Sequence, residues 1–501
     1  MSKQNGGIIG PNNIPTGAFG SASGVWKLSD AINYKRQGTW PVVLNNFQVD
    51  NSARFNSGSS DYLSTTTGTA TNTDKCTISF WVKRGFKASG DHKIIANYTD
   101  DSNRCFIFIT GDNQFQIFQK LGGSTTISLK TNRLFKDFSA WYHFVIRVDT
   151  SQGTDTNRIK LYINGVQETS FATTTYPSQN ENFRINESSV SLNIGRPGTD
   201  TEYFNGYLSE FVLLDGQTLD ATSFGEFDSQ TGIWVPKIVT GLTFGNNGFY
   251  LDFQNSGALG TDVSGNGNNF TVNNLTSIDQ SIDTCTNNFA TLNPIYKSSS
   301  QPTFSEGNLR QAPNAGTYQN AFSTIGVSSG KWYAEMKVNG SANSANYYGV
   351  VAETEYDYLQ TAANVVGTTD KGFSIAMASG DKRTNGSNTS YGSALANTDI
   401  FMIALDIDNA KVWFGKNGTW FASGNPASGS NAAFSSINTA YPYFFGGTLY
   451  SGGYSSVDWN FSSPSYAISS GNVDSSGLGN FEYPVPEGFY SLCTKNLNLI
   501  G

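Results

Sequence analysis

The alternation of apolar and polar residues is clearest at residues 400–421, where IFMIALDIDNAKVWFGKNGTWF predicts two β-strands and two turns. Every second residue from 401 to 407 is apolar, which is the period of a half-buried strand. Asn417-Gly418 predicts a tight hairpin, because Asn and Gly both tolerate a positive φ. Residues 141–167 follow the same plan and end in Asn164-Gly165. The repetition indicates two domains of similar architecture.

Short alternating runs separated by polar turns continue through most of the chain and predict an all-β protein with two antiparallel β-sandwiches. We place the sandwiches at residues 46–235 and 301–501, and a joining segment at 236–300. Residues 1–45 carry isolated apolar residues among Gly, Pro, Ser and Asn, so they cannot bury a core of their own. We expect them to form an extended N-terminal arm, with a short helix at 28–37, that docks on another protein.

The composition supports this fold class and limits the partners. Charged residues make up only 14% of the chain and 53 residues are Gly, which is typical of a β-protein with many turns. The net charge is −8 and there is no basic stripe, so we expect neither nucleic acid nor an anionic membrane surface as a partner. No apolar run approaches the ~18 residues of a membrane span, and the first residues lack an apolar signal core. We therefore expect a soluble protein that neither inserts into a membrane nor is exported by an N-terminal signal.

Catalytic groups are scarce. Only two histidines, His92 and His143, could serve nucleophilic catalysis, and we expect each on the surface or on the sheet face turned away from the core. The carboxylates of AETEYDY, at positions 353, 355 and 357, lack the order that glycoside hydrolases use, and we expect them in a solvated loop. Phosphate-binding and dinucleotide-binding loops are missing as well. The sequence therefore predicts a protein that is not an enzyme.

The four cysteines, Cys76, Cys105, Cys285 and Cys493, are far apart in the sequence. Without a CxxC pair they do not predict a zinc site. We expect four separate thiols in or near the cores, with a disulfide between Cys76 and Cys105 as the alternative.

Calcium is the one cofactor for which the sequence offers ligands. Asp262, Ser264, Asn266 and Asn268 in TDVSGNGNN provide oxygen atoms at the close spacing that suits this ion. Asp and Asn at such spacing also form ordinary Asx turns without a metal. Both interpretations remain open at this point.

Aromatic residues in polar segments are candidates for binding a carbohydrate, because sugar rings stack on aromatic faces while their hydroxyls bond to amides and carboxylates. The candidates are Tyr356, Asp357 and Tyr358 in EYDYLQ, Tyr391 in TSYGS, and Trp420 after a hairpin turn. The alternative for these aromatic residues, above all for Trp420, is ordinary core or hairpin packing.

Two long stretches resemble known families. DYLSTTTG, CTISFWVKR, WYHFVIRVD and RIKLYINGVQ make residues 46–230 similar to the concanavalin A-like, laminin G-type jelly roll. GKWYAEMKV, GFSIA, IFMIALDIDNAKVWFGKNGTWF, VDWNF and PEGFYSL make residues 308–493 similar to a SPRY domain. The resemblance implies that both sandwiches are concanavalin-like, and laminin G-type domains often bind calcium.

The order of these domains resembles virion proteins of tailed phages that infect marine bacteria, including an arm with GGIIGPNNIPT and a joining segment with FGEFDSQTGIWVPK. This resemblance implies a tail fibre or appendage that is made in the host cytoplasm, lies on the surface of the phage particle and binds a host-surface glycan or protein. The arm would contact other virion proteins, and a homo-oligomer such as a trimer is expected. A capsid decoration or appendage protein with purely structural contacts is the first alternative, and a glycan-degrading enzyme is the second.

Overall fold

The structure is a computed structural model that describes residues 47–198, 201–228, 231–296, 298, 300–314, 316–340, 345–360, 364–450 and 454–500. These residues are nearly all β and form two antiparallel sandwiches, so the predicted fold class is confirmed. The predicted arm at 1–45 and its helix at 28–37 lie outside the described residues.

The first sandwich packs sheet 1 against sheet 2. Sheet 1 contains, in spatial order, β10 (Val166–Glu168), β9 (Ile159–Ile163), β8 (Trp141–Asp149), β3 (Lys75–Arg84), β13 (Gly206–Asp215), β1 (Ser52–Phe55) and β18 (Gln280–Ser281), with β16 (Phe249–Leu251) paired to β13. Sheet 2 contains β11 (Phe171–Thr175), β7 (Ser124–Leu134), β6 (Gln114–Leu121), β5 (Asn103–Ile109), β4 (His92–Asp100), β12 (Ser191–Ile194), β2 (Tyr62–Thr66) and β17 (Thr271–Asn273). A ribbon of β14 (Gly225–Phe227) and β15 (Trp234–Pro236) packs on the outer face of sheet 1.

The second sandwich packs sheet 3 against sheet 4. Sheet 3 contains β19 (Thr303–Ser305), β20 (Arg310–Ala312), β32 (Tyr454–Asn460), β22 (Lys331–Gly340), β27 (Ile400–Asp406), β28 (Lys411–Lys416) and β29 (Thr419–Trp420), with β30 (Phe434–Ser435) paired to β28. Sheet 4 contains β21 (Tyr318–Phe322), β31 (Tyr443–Tyr450), β23 (Tyr347–Ala352), β24 (Gly372–Ala376), β25 (Asp381–Thr384) and β26 (Ser387–Thr389). The helices are α1 (Tyr356–Leu359), α2 (Thr494–Ile500) and 3-10 turns at Asp155–Asn157, Arg184–Asn186, Ala221–Ser223, Ser277–Asp279, Glu353–Glu355 and Phe421–Ser423.

The period-2 pattern builds both cores as predicted. Successive side chains on a strand point to opposite faces, so Phe80 of β3 and Phe144 of β8 meet between sheets 1 and 2, with ring centroids 5.7 Å apart. Phe401, Ile403 and Leu405 of β27 occupy the core between sheets 3 and 4.

The two Asn-Gly turns have the same structure. Asn164 and Asn417 have φ of 47° and 49°, and the glycine that follows has φ of 80° in both turns. Each Asn side-chain oxygen accepts a backbone N–H at 2.8 Å from the neighbouring strand, His143 in the first sandwich and Ile400 in the second. The repeated sequence plan therefore reflects a repeated hairpin, in which the Asn side chain helps to fix the register of three strands.

Residues 249–281 of the joining segment proposed at 236–300 belong to the first sandwich, whereas Ala290 and Leu292 lie in the core of the second. Among its strands, β16 pairs with β13, β17 with β2 and β18 with β1. The prediction of a separate segment is corrected here, because the sequence pattern locates strands and does not identify the strands with which they pair.

The strand β27 is buried on both faces rather than half-buried as predicted. Met402 and Ala404 on its outer face are covered by a cluster that includes Phe481 and Phe489. The covering segment is held by Glu335 of β22, whose carboxylate accepts the backbone N–H groups of residues 482 and 483 at 2.9 and 2.8 Å.

Two segments near the second core are held by isolated bridges. The segment at 423–436 carries a backbone bridge between Asn425 and Ser430 and contains β30. Residues 489–492 make an isolated bridge at Tyr490, and the following Cys493 makes another. The four cysteines are free thiols in or near the cores, which confirms the first of the two interpretations.

A buried ion pair fixes the chain where it passes from the first sandwich to the second. The Lys83 side chain has no exposed surface, and its Nζ lies 2.6 Å from Asp283 Oδ2, 2.7 Å from Asn288 Oδ1 and 3.0 Å from Phe289 O. The other Asp283 oxygen accepts a hydrogen bond from Trp141 Nε1 at 3.0 Å. All three ammonium protons therefore have an acceptor, which is the condition for keeping a charge inside a protein.

Direct contacts also join the two sandwiches. The buried Arg54 of β1 donates to Pro464 O at 3.0 Å, and its Nε lies 3.5 Å from Glu306 Oε2. The Tyr207 hydroxyl donates to Gly307 O at 3.1 Å, and a Cβ on Gly307 would lie 2.3 Å from the Tyr207 ring. The interface thus depends on the missing side chain at Gly307, whose φ of +62° also favours glycine.

We expect Lys83→Ala to lower the free energy of unfolding by about 3–5 kcal/mol, because it leaves Asp283 buried without its cation. Chemical denaturation measures this change. The exposed Lys237→Ala serves as the control and should stay within about 0.5 kcal/mol of the parent. A double variant, Lys83→Met with Asp283→Asn, should lose less than Lys83→Ala; a larger loss would contradict the assigned role of the pair.

Candidate functional site

The aromatic residues predicted to bind a ligand do not form one surface. Tyr358 on α1 is 42% exposed. Tyr391 is half-buried against the core between sheets 3 and 4, with its ring 6.1 Å from that of Phe421. Trp420 packs edge-on against Tyr333 at 6.3 Å, in the cluster on the outer face of sheet 3. Packing, the alternative interpretation, therefore accounts for Tyr391 and Trp420.

The backbone of the remaining two candidates, Tyr356 and Asp357, forms the first turn of α1, and their side chains lie outside the described part of the chain. The AETEYDY segment is a 3-10 turn followed by α1 rather than a loop. Its Glu355 is buried instead of solvated, and burial raises the pKa of this carboxyl to about 7. The close packing needs a glycine opposite, since a Cβ on Gly372 would lie 2.5 Å from Glu355 Oε2.

The proposed calcium ligands form a loop that is closed by hydrogen bonds. Asp262 accepts from the backbone N–H groups of Tyr250, Ser264 and Asn268 at 2.8–2.9 Å and from the Ser264 hydroxyl. Asn266 and Asn268 both donate their amide nitrogens to Gly248 O, at 2.9 and 2.8 Å. Four donors on one carboxylate and two amide nitrogens turned inward are the geometry of an Asx-type turn, the second of the two sequence interpretations. Among the described residues, no group of three or more His, Cys, Asp or Glu side chains is arranged to hold a metal ion.

Both histidines are buried, which corrects the expectation of surface positions. His143 lies on the outer face of sheet 1 as predicted, but its ring is stacked with those of Trp81 and Trp234, at 4.7 and 6.0 Å. Trp234 Nε1 donates to His143 Nδ1 at 2.9 Å, so the ring proton is on Nε2, which faces Ser79 Oγ at 2.9 Å. Burial lowers the pKa of His143 to about 3, and the residue is a neutral packing group.

The outer face of sheet 2 carries the most developed candidate site, and the sequence interpretation missed it. Arg104, Phe106 and Phe108 of β5 point away from the core, because Cys105, Ile107 and Ile109 point into it. The register places Phe106 beside Phe118 of β6 and beside Ala96 of β4. A cavity of about 360 Å³ opens here, which we call the aromatic pocket; its lining residues are Lys93, Tyr98, Asp101, Arg104, Phe106, Phe108, Gln116, Phe118, Pro197 and Glu202.

Cations lie over the aromatic rings of this pocket. Lys93 Nζ is 3.5 Å from the ring centroid of Phe108, and the Arg104 guanidinium is 5.7 Å from Phe106 and 6.0 Å from Phe118. The rings of Tyr98 and Phe106 are nearly parallel, at an angle of 10° and a distance of 6.4 Å. Such cation–π contacts hold the ring faces and the charged donors in fixed relative positions.

Carboxylates complete the rim of the aromatic pocket. Lys93 Nζ lies 2.8 Å from Asp91 Oδ2 and 3.3 Å from Glu202 Oε2, and Arg104 pairs with Asp101. Fixed donors and acceptors around aromatic faces fit a ligand with an apolar ring surface and hydroxyl groups. A sequence signal for the pocket exists in RCFIFI, where apolar residues occur in both phases of the alternation. The residues of one phase form the core. The apolar residues of the other phase must be covered by another segment of the chain or used to bind a ligand.

The other three outer faces are covered by segments of the chain. The β14–β15 ribbon covers sheet 1, the segment near residues 481–489 covers sheet 3, and Leu359 of α1 packs with Val351 and Val366 on sheet 4. A cavity of about 430 Å³ on sheet 4 has Tyr318 and Tyr347 in its wall, but none of its described lining residues is charged. Of these two outer-face cavities, the aromatic pocket is therefore the one whose lining combines ring faces with charged side chains.

The first sandwich matches a known family. Residues 57–222 fit the family model described as the concanavalin A-like lectin/glucanases superfamily. The first sandwich is thus a concanavalin-like jelly roll, in agreement with the resemblance of its strands. No curated protein matches the chain in sequence.

Several solved structures are similar to parts of the chain. They include the SPRY domain of human HERC1 (20% identity, 30% of this chain and 87% of that chain, TM-score 0.25). They also include a heptameric SAP-like pentraxin from Limulus polyphemus (14% identity, 34% and 79%, TM-score 0.25) and domain 4 of AbnA, a GH43 arabinanase from Geobacillus stearothermophilus in complex with arabinotriose (17% identity, 30% and 64%, TM-score 0.21). At these TM-scores they carry no argument about function.

The buried Glu355 predicts a pH dependence of stability. Because the folded protein holds this proton up to about pH 7 and the unfolded chain releases it near 4.5, the free energy of unfolding should fall as pH rises from about 4.5 to above 7. Because Gln does not titrate, Glu355→Gln should make this pH-dependent decrease in the free energy of unfolding smaller by about 3 kcal/mol. Denaturation at pH 5 and pH 8 measures it, with the exposed neighbour Glu353→Gln as the matched control. Equal slopes for the two variants would contradict the prediction.

We expect calcium chelation to leave the melting temperature unchanged, because the oxygens of Asp262 already accept four hydrogen bonds. Asp262→Ala should lower the free energy of unfolding by about 1–3 kcal/mol, since it leaves buried N–H groups without an acceptor. Thermal melting with excess EGTA and with added calcium provides the measurement. A rise in melting temperature on adding calcium that Asp262→Ala abolishes would instead establish an ion in the loop.

Proposed function

We propose that this protein binds a carbohydrate in the aromatic pocket on sheet 2 and that it acts by binding rather than by catalysis. The observation that carries the proposal is the outward row of Phe106 and Phe118 held beneath charged side chains. Aromatic faces accept the C–H surfaces of a sugar, and the charged groups beside them bond to its hydroxyls. The match of this sandwich to a lectin and glucanase superfamily supports the same interpretation.

Binding without catalysis is supported by the state of the carboxylates at the pocket. A glycoside hydrolase needs one carboxyl that holds a proton and a second that is ionised. Asp101 and Glu202, the carboxylates that line the pocket, are each within salt-bridge distance of a cation, Arg104 and Lys93 respectively. Both carboxylates of the pocket wall are thus engaged in salt bridges with the cations of the same wall.

We also propose, from the resemblance of the domain order, a location and partners. In this proposal the chain is a virion protein of a tailed phage, made in the host cytoplasm and placed on the particle as a fibre or appendage. The arm at 1–45 would contact other virion proteins, the chain would form a homo-oligomer, and the sandwiches would meet a glycan or protein of the host surface. Among the described residues, no helix is long and apolar enough to span a membrane.

The binding proposal predicts that Phe118→Ala reduces affinity for the polysaccharide ligand at least about tenfold, because stacking on an aromatic face contributes on the order of 1.4 kcal/mol. The measurement is affinity electrophoresis or calorimetry on immobilised β-glucan, mannan, galactan and polyuronate. Phe227→Ala, which removes another exposed ring on the opposite side of the sandwich, is the matched control. Tyr358→Ala tests the sequence-predicted site; loss of binding in that variant, with Phe118→Ala unaffected, would move the site to the second sandwich. Release of reducing sugar from any of these polymers would overturn the proposal that the protein acts by binding rather than by catalysis.

A further inference from the structure

A second cavity of about 320 Å³ lies beside the aromatic pocket and is lined by cationic and neutral groups. We call it the cationic pocket; its lining residues are Arg84, Phe86, Lys87, Ala88, Ser89, Gly90, His92, Gly111, Asn113, Lys136, Phe138 and Ile295. Three of these side chains are basic, and none of the described lining residues is a carboxylate.

Arg84 is a buried cation that has no carboxylate partner among the described residues. The residue is only 3% exposed, and its guanidinium donates to Phe135 O, to Asn113 Oδ1 at 2.7 Å and to His92 Nε2 at 3.2 Å, while its Nε has no partner. Its central carbon lies 4.8 Å from the Phe138 ring centroid. Burying a charge that is paired only with neutral acceptors costs free energy. Binding of an anion beside Arg84 offsets this cost and is therefore favourable.

The protonation of His92 and the charges of Lys87 and Lys136 also favour an anion in this pocket. Arginine can only donate, so His92 Nε2 is the acceptor and the imidazole is neutral, with its proton on Nδ1. Burial and the Arg84 charge lower the pKa of His92, and burial lowers the pKa of Arg84 to about 10. Lys87 Nζ donates to the carbonyl oxygens of Asp91 and Tyr203, at 2.8 and 3.3 Å, and the exposed Lys136 lies in the wall. The net charge of the pocket is therefore positive.

Asp91 separates the cationic pocket from the aromatic pocket. Its Oδ2 lies 2.8 Å from Lys93 Nζ in the aromatic pocket, and its Oδ1 accepts from the N–H of Gly111 in the cationic pocket at 3.0 Å. Its carbonyl oxygen accepts the hydrogen bond from Lys87. One residue thus contacts the walls of both cavities, which places them within the reach of one oligosaccharide.

We propose that the cationic pocket binds the anionic group, a carboxylate or a sulfate, of an acidic polysaccharide whose neighbouring sugar ring stacks in the aromatic pocket. This proposal rests on the proposed carbohydrate-binding function and names its ligand class. Arg84 Nε–H and His92 Nδ1–H, which have no partner among the described residues, and the ammonium groups of Lys87 and Lys136 supply donors for either oxyanion.

The test compares four polymers, a polyuronate with its carboxyl-reduced form and a sulfated galactan with its desulfated form. We expect the parent protein to bind at least one charged polymer at least about tenfold more tightly than its neutral counterpart, with an affinity that falls as salt rises. Which charged polymer is preferred distinguishes a carboxylate ligand from a sulfate ligand.

Charge reversal at the exposed Lys136 isolates the cationic pocket. Lys136→Glu should reduce binding of the charged polymer at least about tenfold, because it replaces an attraction by a repulsion. It should leave binding of the neutral counterpart unchanged. Lys237→Glu makes the same change of charge at an exposed site outside both pockets and is the control.

The outcomes separate this inference from the function on which it rests. If charged and neutral polymers bind equally and Lys136→Glu has no effect, the inference is overturned while carbohydrate binding stands. If no polymer binds, the proposed function fails, and the cationic pocket is then tested with sodium sulfate alone. A sulfate-induced rise in melting temperature that is larger for the parent than for Lys136→Glu would support the proposed anion site. An equal rise in both proteins would contradict it.

Discussion

The buried pair of Lys83 and Asp283 sets the geometry on which the rest of the structure depends. A buried ion pair is tolerated only when both partners have complete hydrogen bonds. Lys83 and Asp283 complete theirs in one arrangement of the two sandwiches. Residues at and after the end of β3 connect this ion pair to the cationic pocket and to the second sandwich. Lys83 reaches the junction, Arg84 reaches the cationic pocket, and Phe86 packs against Phe304 of the second sandwich with ring centroids 5.8 Å apart. The cationic pocket and the junction are therefore connected by consecutive residues at the end of one strand.

Coverage of the sheets explains where the candidate site lies. A sheet in a sandwich has one face in the core, and its other face must be solvated, covered or used. Three outer faces of this protein are covered by aromatic clusters from later segments of the chain. The outer face of sheet 2 instead has aromatic rings screened by Lys93 and Arg104. Individual side chains cover a face less completely than a packed segment does, so this is the outer face on which a ligand can reach aromatic rings.

The sequence predicts the strongly alternating strands, but not how the strands are related in space. Alternation located β8, β9, β27 and β28, and Asn-Gly located both hairpins, because strand period and turn chemistry are local properties. Polar strands such as β25 and β26, with the sequences DKRT and SNT, were missed because a single Thr is the only β-forming residue in each and no apolar residue alternates there. The burial of His143 and Glu355 was missed for another reason: the covering groups, Trp234 and Gly372, are distant in sequence or lack a side chain. The aromatic pocket depends on the register of three strands, which alternation does not specify.

The strands β16, β17 and β18 add a consequence for how the protein is made. A ribosome that has synthesised residues up to 235 has produced a first sandwich in which β1 and β2 are additional unpaired edges and β13 lacks the pairing that β16 supplies. Unpaired edges attract other strands, and domains generally fold as units during synthesis. The first sandwich becomes complete only after residue 281 has emerged, and the next residues already carry Asp283. Closure of the first sandwich and anchoring of the second are thus consecutive events in translation, which shortens the time during which open edges are exposed to neighbouring nascent chains.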